Sequence, residues 1–158
     1  MIITKGRRNA VVHWSDDRFT GVFFFLQDYA EGHSGRELIL DVLNSSSNFI
    51  PLEDAESKKV SLVNKQRIRW VELKEKEILG EARLLQEHFV QVEMIGGKVI
   101  RGRVPVEMPP ERSRLSDHLN FTPQFIYLLQ EDRELILNKS YLLSVWDEEG
   151  LARKELPI

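Results

Sequence analysis

Short runs of β-branched, aromatic and aliphatic residues, bounded by polar turns, dominate the chain and predict strands. "VHWSDDRFTG", ending at Gly21, and "EMIGGKVIRG", ending at Gly102, each read as strand, polar turn and strand, with Asp16 and Asp17 in the first turn and Gly96 and Gly97 in the second. Further strands are expected at Phe49–Leu52, Val60–Asn64 and Ile68–Leu73, and again at Phe125–Leu129, Glu134–Asn138 and Leu142–Trp146. One stretch has a helical rather than a strand period. "EKEILGEARLLQEH" places Ile78, Ala82 and Leu85 on one face, interrupted by Gly80, and predicts a connecting helix.

The two sets of strands share their landmarks. "DVLNSSSNFIPL" from Asp41 matches "DHLNFTPQFIYL" from Asp117, and "SLVNKQRIRWV" from Ser61 matches "LILNKSYLLSV" from Leu135, so that Asn64-Lys65 answers Asn138-Lys139. Spacing differs only between landmarks, where a loop changes length at small entropic cost while a strand would lose its register. The chain therefore reads as a duplication, with a first unit at residues 1–74, a linker at 75–87 and a second unit at 88–158. Five short strands in about 60 residues is the size of a small barrel that hides its own edges. The expected fold is mainly β: two tandem small barrels, with short helical inserts and a linker helix. In the inserts, "SGRE" from Ser34 has the spacing of a capping box, and Asn44 and Asn120 suit left-handed residues that end a helical turn.

The run "RLSDHLNFTPQFIYL" followed by "LNKSYLLSV" resembles a small domain that recurs in uncharacterised bacterial proteins, whose signature is Arg, Ser-Asp, Leu-Asn, Phe and then Asn-Lys before a last strand. The first unit keeps "DVLN" and "VNK" of this signature. More widely, the glycine of the second strand, the Asp-to-Asn loop and the polar turn before the last strand are similar to those of Sm-like RNA-binding barrels. That resemblance implies base contacts at Asn44 and Lys65, and at Asn120 and Lys139. Turn chemistry accounts for the same residue types without a ligand, because Asp and Asn bond neighbouring backbone amides, Asn tolerates positive φ, and Lys is commonly solvated.

Composition narrows the functions further. The 158 residues are 42% hydrophobic and 30% charged, a globular profile, and zero cysteines exclude disulfides, thiolate metal sites and thiol nucleophiles. No apolar run is long enough to span a bilayer and the N-terminus lacks the regions of a signal peptide, so a cytoplasmic location is expected. A net charge of −3 leaves nucleic-acid binding to a local basic face. Arg101, Arg103, Arg112 and Arg114 form one candidate, diluted by Glu107 and Glu111. His13, His33, His88 and His118 are scattered without metal-ligand spacing, and Val42 stands at the position of His118 in the first unit. Neither a catalytic residue, a metal site nor a cofactor is expected.

The second strands differ most. With Gly21 aligned to Gly102, Phe23 and Phe25 are expected to face the barrel interior along with Val104 and Val106, leaving Val22, Phe24 and Leu26 on an outer face where the second unit has Arg103, Pro105 and Glu107. An outer face so apolar requires cover, from the other unit, the linker helix or a second chain; internal cover is expected, which makes Val22, Phe24 and Leu26 an inter-repeat interface. The functional expectation is a non-catalytic interaction or regulatory module that binds a protein partner through loops or edge strands. Its state would be a monomer with pseudo-dimeric repeats or a homo-oligomer. The alternative is an RNA- or nucleotide-binding barrel.

Overall fold

The computed structural model describes residues 5–28, 35–78, 86–106 and 115–148. Ten strands and two helices are built from them. The first half comprises β1 (Lys5–Trp14), β2 (Phe19–Gln27), α1 (Ile39–Leu43), β3 (Phe49–Asp54), β4 (Val60–Asn64) and β5 (Ile68–Leu73). The second comprises β6 (Gln86–Met94), β7 (Val99–Val106), α2 (Leu115–Phe121), β8 (Phe125–Leu129), β9 (Glu134–Asn138) and β10 (Leu142–Asp147). All pairings are antiparallel, and the strands form one sheet in the order β10-β6-β7-β8-β9-β5-β1-β2-β3-β4. The protein is thus mainly β, as its pattern predicts, but the sheet does not close into a barrel. β10 and β4 remain as its two edges, and the halves meet edge to edge through β5 and β9.

Each half uses the same order: β5-β1-β2-β3-β4 in the first and β10-β6-β7-β8-β9 in the second. The hairpins superimpose bond for bond. Trp14 N–H donates to Arg18 C=O as Met94 N–H does to Lys98 C=O, and Asp17 takes the positive φ that Gly97 takes. Asp17 is the rarer case, since most residues with a Cβ avoid that region.

This correspondence corrects the expected facing of the second strands. Ala10 pairs with Val22 while Val90 pairs with Gly102, so the counterpart of Gly102 is Val22 and not Gly21. A slip of one residue inverts every face of a strand. Val22, Phe24 and Leu26 are the core-facing residues of β2, fully or almost fully buried, whereas Phe23 and Phe25 lie half-exposed on the other side. Phe23 is covered there by Arg7 and Lys58, whose cations sit 4.9 and 5.6 Å from its ring. The two glycines have different reasons to be glycine. A Cβ on Gly102 would lie 2.6 Å from the Leu129 carbonyl oxygen, so β7 and β8 could not approach; on Gly21 it would meet only Ala55, at 3.7 Å.

Two apolar clusters hold the fold. One gathers Val22, Phe24 and Leu26 with Ile39 and Leu43 of α1, and also takes Phe125, Tyr127 and Leu129 of β8 and Ile136 of β9. The other gathers Val90, Val92, Val104, Val106 and Leu115 with Ile126, Leu128, Leu135 and Leu137, and receives Trp70 from β5. β8 and β9 therefore send alternate residues into different cores. A strand with both faces buried reads as a continuous apolar run, which is the composition of "FIYLL". Phe24 does contact a core shared by both halves, yet the doubly covered strands are β8 and β9 rather than β2.

The inserts differ in detail from expectation. α1 begins at Ile39, where Asp41 Oδ2 accepts the Leu38 N–H at 2.7 Å, so the amide is capped by Asp41 and not within "SGRE", whose Ser34 lies outside the described residues. Asn44 ends α1 at φ −94° and Asn120 lies inside α2; neither is left-handed. Of the expected linker helix, 75–78 are irregular with bends at 75, 77 and 78, 86–87 belong to β6, and 79–85 lie outside the described residues.

Candidate functional site: two free sheet edges and the seam between them

The Asn-Lys pairs are structural clamps. Asn64 and Asn138 each precede a 3-10 turn, Lys65–Arg67 and Lys139–Tyr141, and each side-chain oxygen accepts the N–H two residues on, at 3.0 Å. They have ordinary extended dihedrals rather than positive φ. The lysines fold back onto the ends of the helical inserts. Lys65 Nζ donates to the Ser45 carbonyl, and Lys139 Nζ donates to the Leu119 and Thr122 carbonyls at 2.6 and 2.8 Å. Carbonyls at a helix C-terminus lack intrahelical donors and carry partial negative charge, so a cation there satisfies both needs. Burial lowers both lysine pKa values below the ordinary range. These amines are occupied, and base contacts by them would require breaking the clamps.

The two loop asparagines do unlike things. Asn44 reaches across the halves: its Nδ2 donates to the Phe125 carbonyl at 3.0 Å and its Oδ1 accepts the Phe125 N–H at 2.9 Å, so the amide imitates a strand at the start of β8. Asn120 is exposed and, among the described residues, donates within α2 alone, to the Ser116 carbonyl at 2.8 Å. The arginine group is also divided. Arg101 bonds Gln91 and lies 3.9 Å from Glu148, and Arg103 pairs with Glu87 at 3.0 Å. Arg112 and Arg114, with Glu107 and Glu111, lie outside the described residues. His118 lines a cleft of about 350 Å³ together with Asn44, Phe125 and Tyr127. Burial holds its imidazole neutral, with the pKa pushed down to about 4, and its Nδ1 is buried with no hydrogen-bond partner among the described residues.

The residues that matter most to the arrangement sit at the seam. β5 and β9 pair with Trp70 opposite Leu137, Val71 opposite Ile136 and Glu72 opposite Leu135. Around them, Asn138 Nδ2 donates to the Ile68 carbonyl at 2.8 Å, Tyr141 Oη to the Gln66 carbonyl at 3.1 Å, and Arg133 pairs with Glu72 at 2.6 Å. Glu77, on the bend after β5, is the hub. Its fully buried carboxylate accepts from the Ile39 N–H at 2.6 Å and the Tyr127 hydroxyl at 2.9 Å, with Arg8 at 3.4 Å, while its own N–H donates to Glu134. Desolvation raises its pKa, opposed by those donors. Sequence pattern gave Glu77 no prominence, since it lies in a charged stretch that reads as solvated linker; only its distance from the strands it joins could have marked it.

At the outer edges the same kinds of strand stand open. Val60, Leu62 and Phe49 are exposed beside β4, and Leu143 and Trp146 on β10. Comparison with known proteins finds no family model, curated protein or solved structure that matches the chain. No helix among the described residues is long and apolar enough to cross a membrane.

Proposed function

We propose that the protein is a non-catalytic interaction module, built from two units of open Sm-like or SH3-like strand order, that binds a protein partner by strand addition at the edges of its sheet. The observation that carries this reading is that both edges are apolar and, among the described residues, unpaired: β4 and β10 each offer a row of backbone donors and acceptors flanked by exposed Leu62 and Val60, or Leu143 and Trp146. Strand addition gains affinity from main-chain hydrogen bonds and specificity from alternate side chains. Natural edges that bind nothing are usually blunted by proline, lysine or bulges. Lys59 guards one end of β4, and Pro51 lies on the strand behind it, but the edge of β4 itself is "VSLVN".

The RNA-binding alternative is weaker because its expected contacts are committed elsewhere: Lys65 and Lys139 to backbone carbonyls, Asn44 to Phe125, Arg103 to Glu87. The test is capture from a source-cell lysate with the wild-type chain and with Leu62→Lys/Trp146→Lys, each with and without nuclease. A partner that survives nuclease and is lost from the edge variant is expected. A partner that the edge variant retains would remove the edges from the function, and one lost to nuclease would favour the alternative.

A further inference from the structure

The edge reading leaves the partner's identity open, and the seam supplies a template for it. β4 holds in the first half the place that β9 holds in the second, and β10 holds the place of β5. The two free edges are therefore counterparts of the two strands that already pair inside the chain.

The counterparts carry the same hooks, unused. Asn138 spends its oxygen on Ser140 N–H and its Nδ2 on the Ile68 carbonyl across the seam; Asn64 spends its oxygen on Gln66 N–H, and its Nδ2 donates to nothing among the described residues. Asn44 uses both ends of its amide on Phe125, whereas the Oδ1 of Asn120 accepts nothing among the described residues. The strand starts that these amides would meet differ accordingly: Phe125 is 1% exposed and Phe49 57%. At the centre of the seam Ile136 is 0% exposed, and its counterpart Leu62 is 71% exposed.

We propose that the protein self-associates head to tail, β10 of one molecule pairing antiparallel with β4 of the next and copying the internal seam. This inference rests on the edge-binding reading and names its partner as a second copy of the chain. The copied register sets Ser144 opposite Val63, Val145 opposite Leu62 and Trp146 opposite Ser61, from the seam pairs Trp70–Leu137, Val71–Ile136 and Glu72–Leu135. The Asn120 amide then takes the Phe49 backbone of the neighbour, and the neighbour's Asn64 Nδ2 takes the Leu142 carbonyl. Several seam contacts are not reproduced: the ion pair of Arg133 with Glu72 becomes Lys59 against Trp146, Tyr141, whose hydroxyl reaches the Gln66 carbonyl, is answered by Arg67, and Glu134 and Tyr127, which meet Glu77, are answered by Val60 and Pro51. Because the two surfaces differ, the contact is heterologous and propagates into a ring if its rotation closes and a filament if it does not.

The test is sedimentation velocity of the full chain over a range of concentrations. Concentration-dependent oligomers are expected. Leu62→Lys, which blocks β4, and Asn120→Ala/Trp146→Lys, which blocks the β10 side, should each weaken association by more than about tenfold, with circular dichroism unchanged because these side chains are exposed. Mixing the two blocked variants should restore a heterodimer and nothing larger, since each retains the edge that the other lacks. Trp146→Glu, which sets a carboxylate against Lys59, should tighten association. The register is checked by Leu62→Cys/Val145→Cys, which in this cysteine-free chain should give an intermolecular disulfide on oxidation. A wild-type monomer at every concentration overturns self-association, and the edge reading survives it if lysate capture remains edge-dependent. Dimerisation of the Leu62→Lys variant by itself overturns the head-to-tail pairing. Edge variants that change neither association nor capture overturn both proposals.

Discussion

β9 and β4 are five-residue strands that end in asparagine, precede the same Lys-led 3-10 turn and follow the same kind of strand, yet every residue of β9 is buried and β4 is mostly exposed. The difference is positional. β9 has β5 on its free side and a core on each face, whereas β4 has solvent there. Composition has adapted: "ELILN" is apolar through its middle, with Glu134 accepting backbone N–H groups from Glu77 and Ile78, and "VSLVN" alternates. The lesson is that an element's environment depends on which copy of the motif lies beside it, a property of the sheet rather than of the strand.

The largest effect expected from breaking this comparison is at the paired central positions. Ile136→Ala should lower unfolding free energy by about 3 to 4 kcal/mol, because the methyls removed lie in a closed core, and Leu62→Ala in dilute solution by less than about 0.5 kcal/mol; chemical denaturation measures both. Next comes the contrast between the glycines. Gly102→Ala should cost about 2 to 3 kcal/mol, since a backbone carbonyl and Leu128 must move, and Gly21→Ala should stay within about 0.5 kcal/mol, read from thermal melting.

The third contrast is His118 against Val42. A histidine whose pKa falls from 6.5 in the unfolded chain to about 4 in the folded one binds fewer protons when folded between those values. Its contribution is therefore present above pH 6.5 and lost as pH falls toward 4, by up to about 3 kcal/mol. Glu77, with its pKa raised, has the opposite sign: its protonated form is favoured by folding, so that contribution is present below 4.5 and lost as pH rises through the folded value. The difference between wild type and His118→Val, measured by denaturation across pH 4 to 7, isolates the histidine; a flat difference would remove it as a source of pH dependence.

The smallest effect is expected at the asparagines. Asn44→Ala leaves the buried Phe125 N–H and carbonyl without partners and should cost about 2 kcal/mol, and Asn120→Ala should cost under about 0.5 kcal/mol. Hydrogen exchange at the Phe125 amide would report the first directly: faster exchange in Asn44→Ala and no change in Asn120→Ala.

Much of the β architecture was legible. The strand segments at Val60–Asn64, Ile68–Leu73, Phe125–Leu129 and Glu134–Asn138 match the structure at both ends, because turn residues and short apolar runs bound them locally. The facing of β2 was misread, since aligning Gly21 with Gly102 ignored that one glycine is demanded by a neighbouring strand and the other is not. Of the candidate site, the turn role of Asn64 and Asn138 in the Asn-Lys pairs was visible. Their lysine anchors were not, because a lysine that folds onto helix-end carbonyls has the same local sequence as one in water.

By itself the sequence determined the β class, the two matching sets of strands and the polar turns between them, since strand period and turn chemistry act over a few residues. Only the tertiary structure decided that the sheet is continuous, that β5 and β9 join the halves while β4 and β10 stand free, and that Glu77 is a buried hub. Those outcomes depend on contacts between residues about 60 apart in the chain, and neither hydrophobic period nor propensity carries information over that separation.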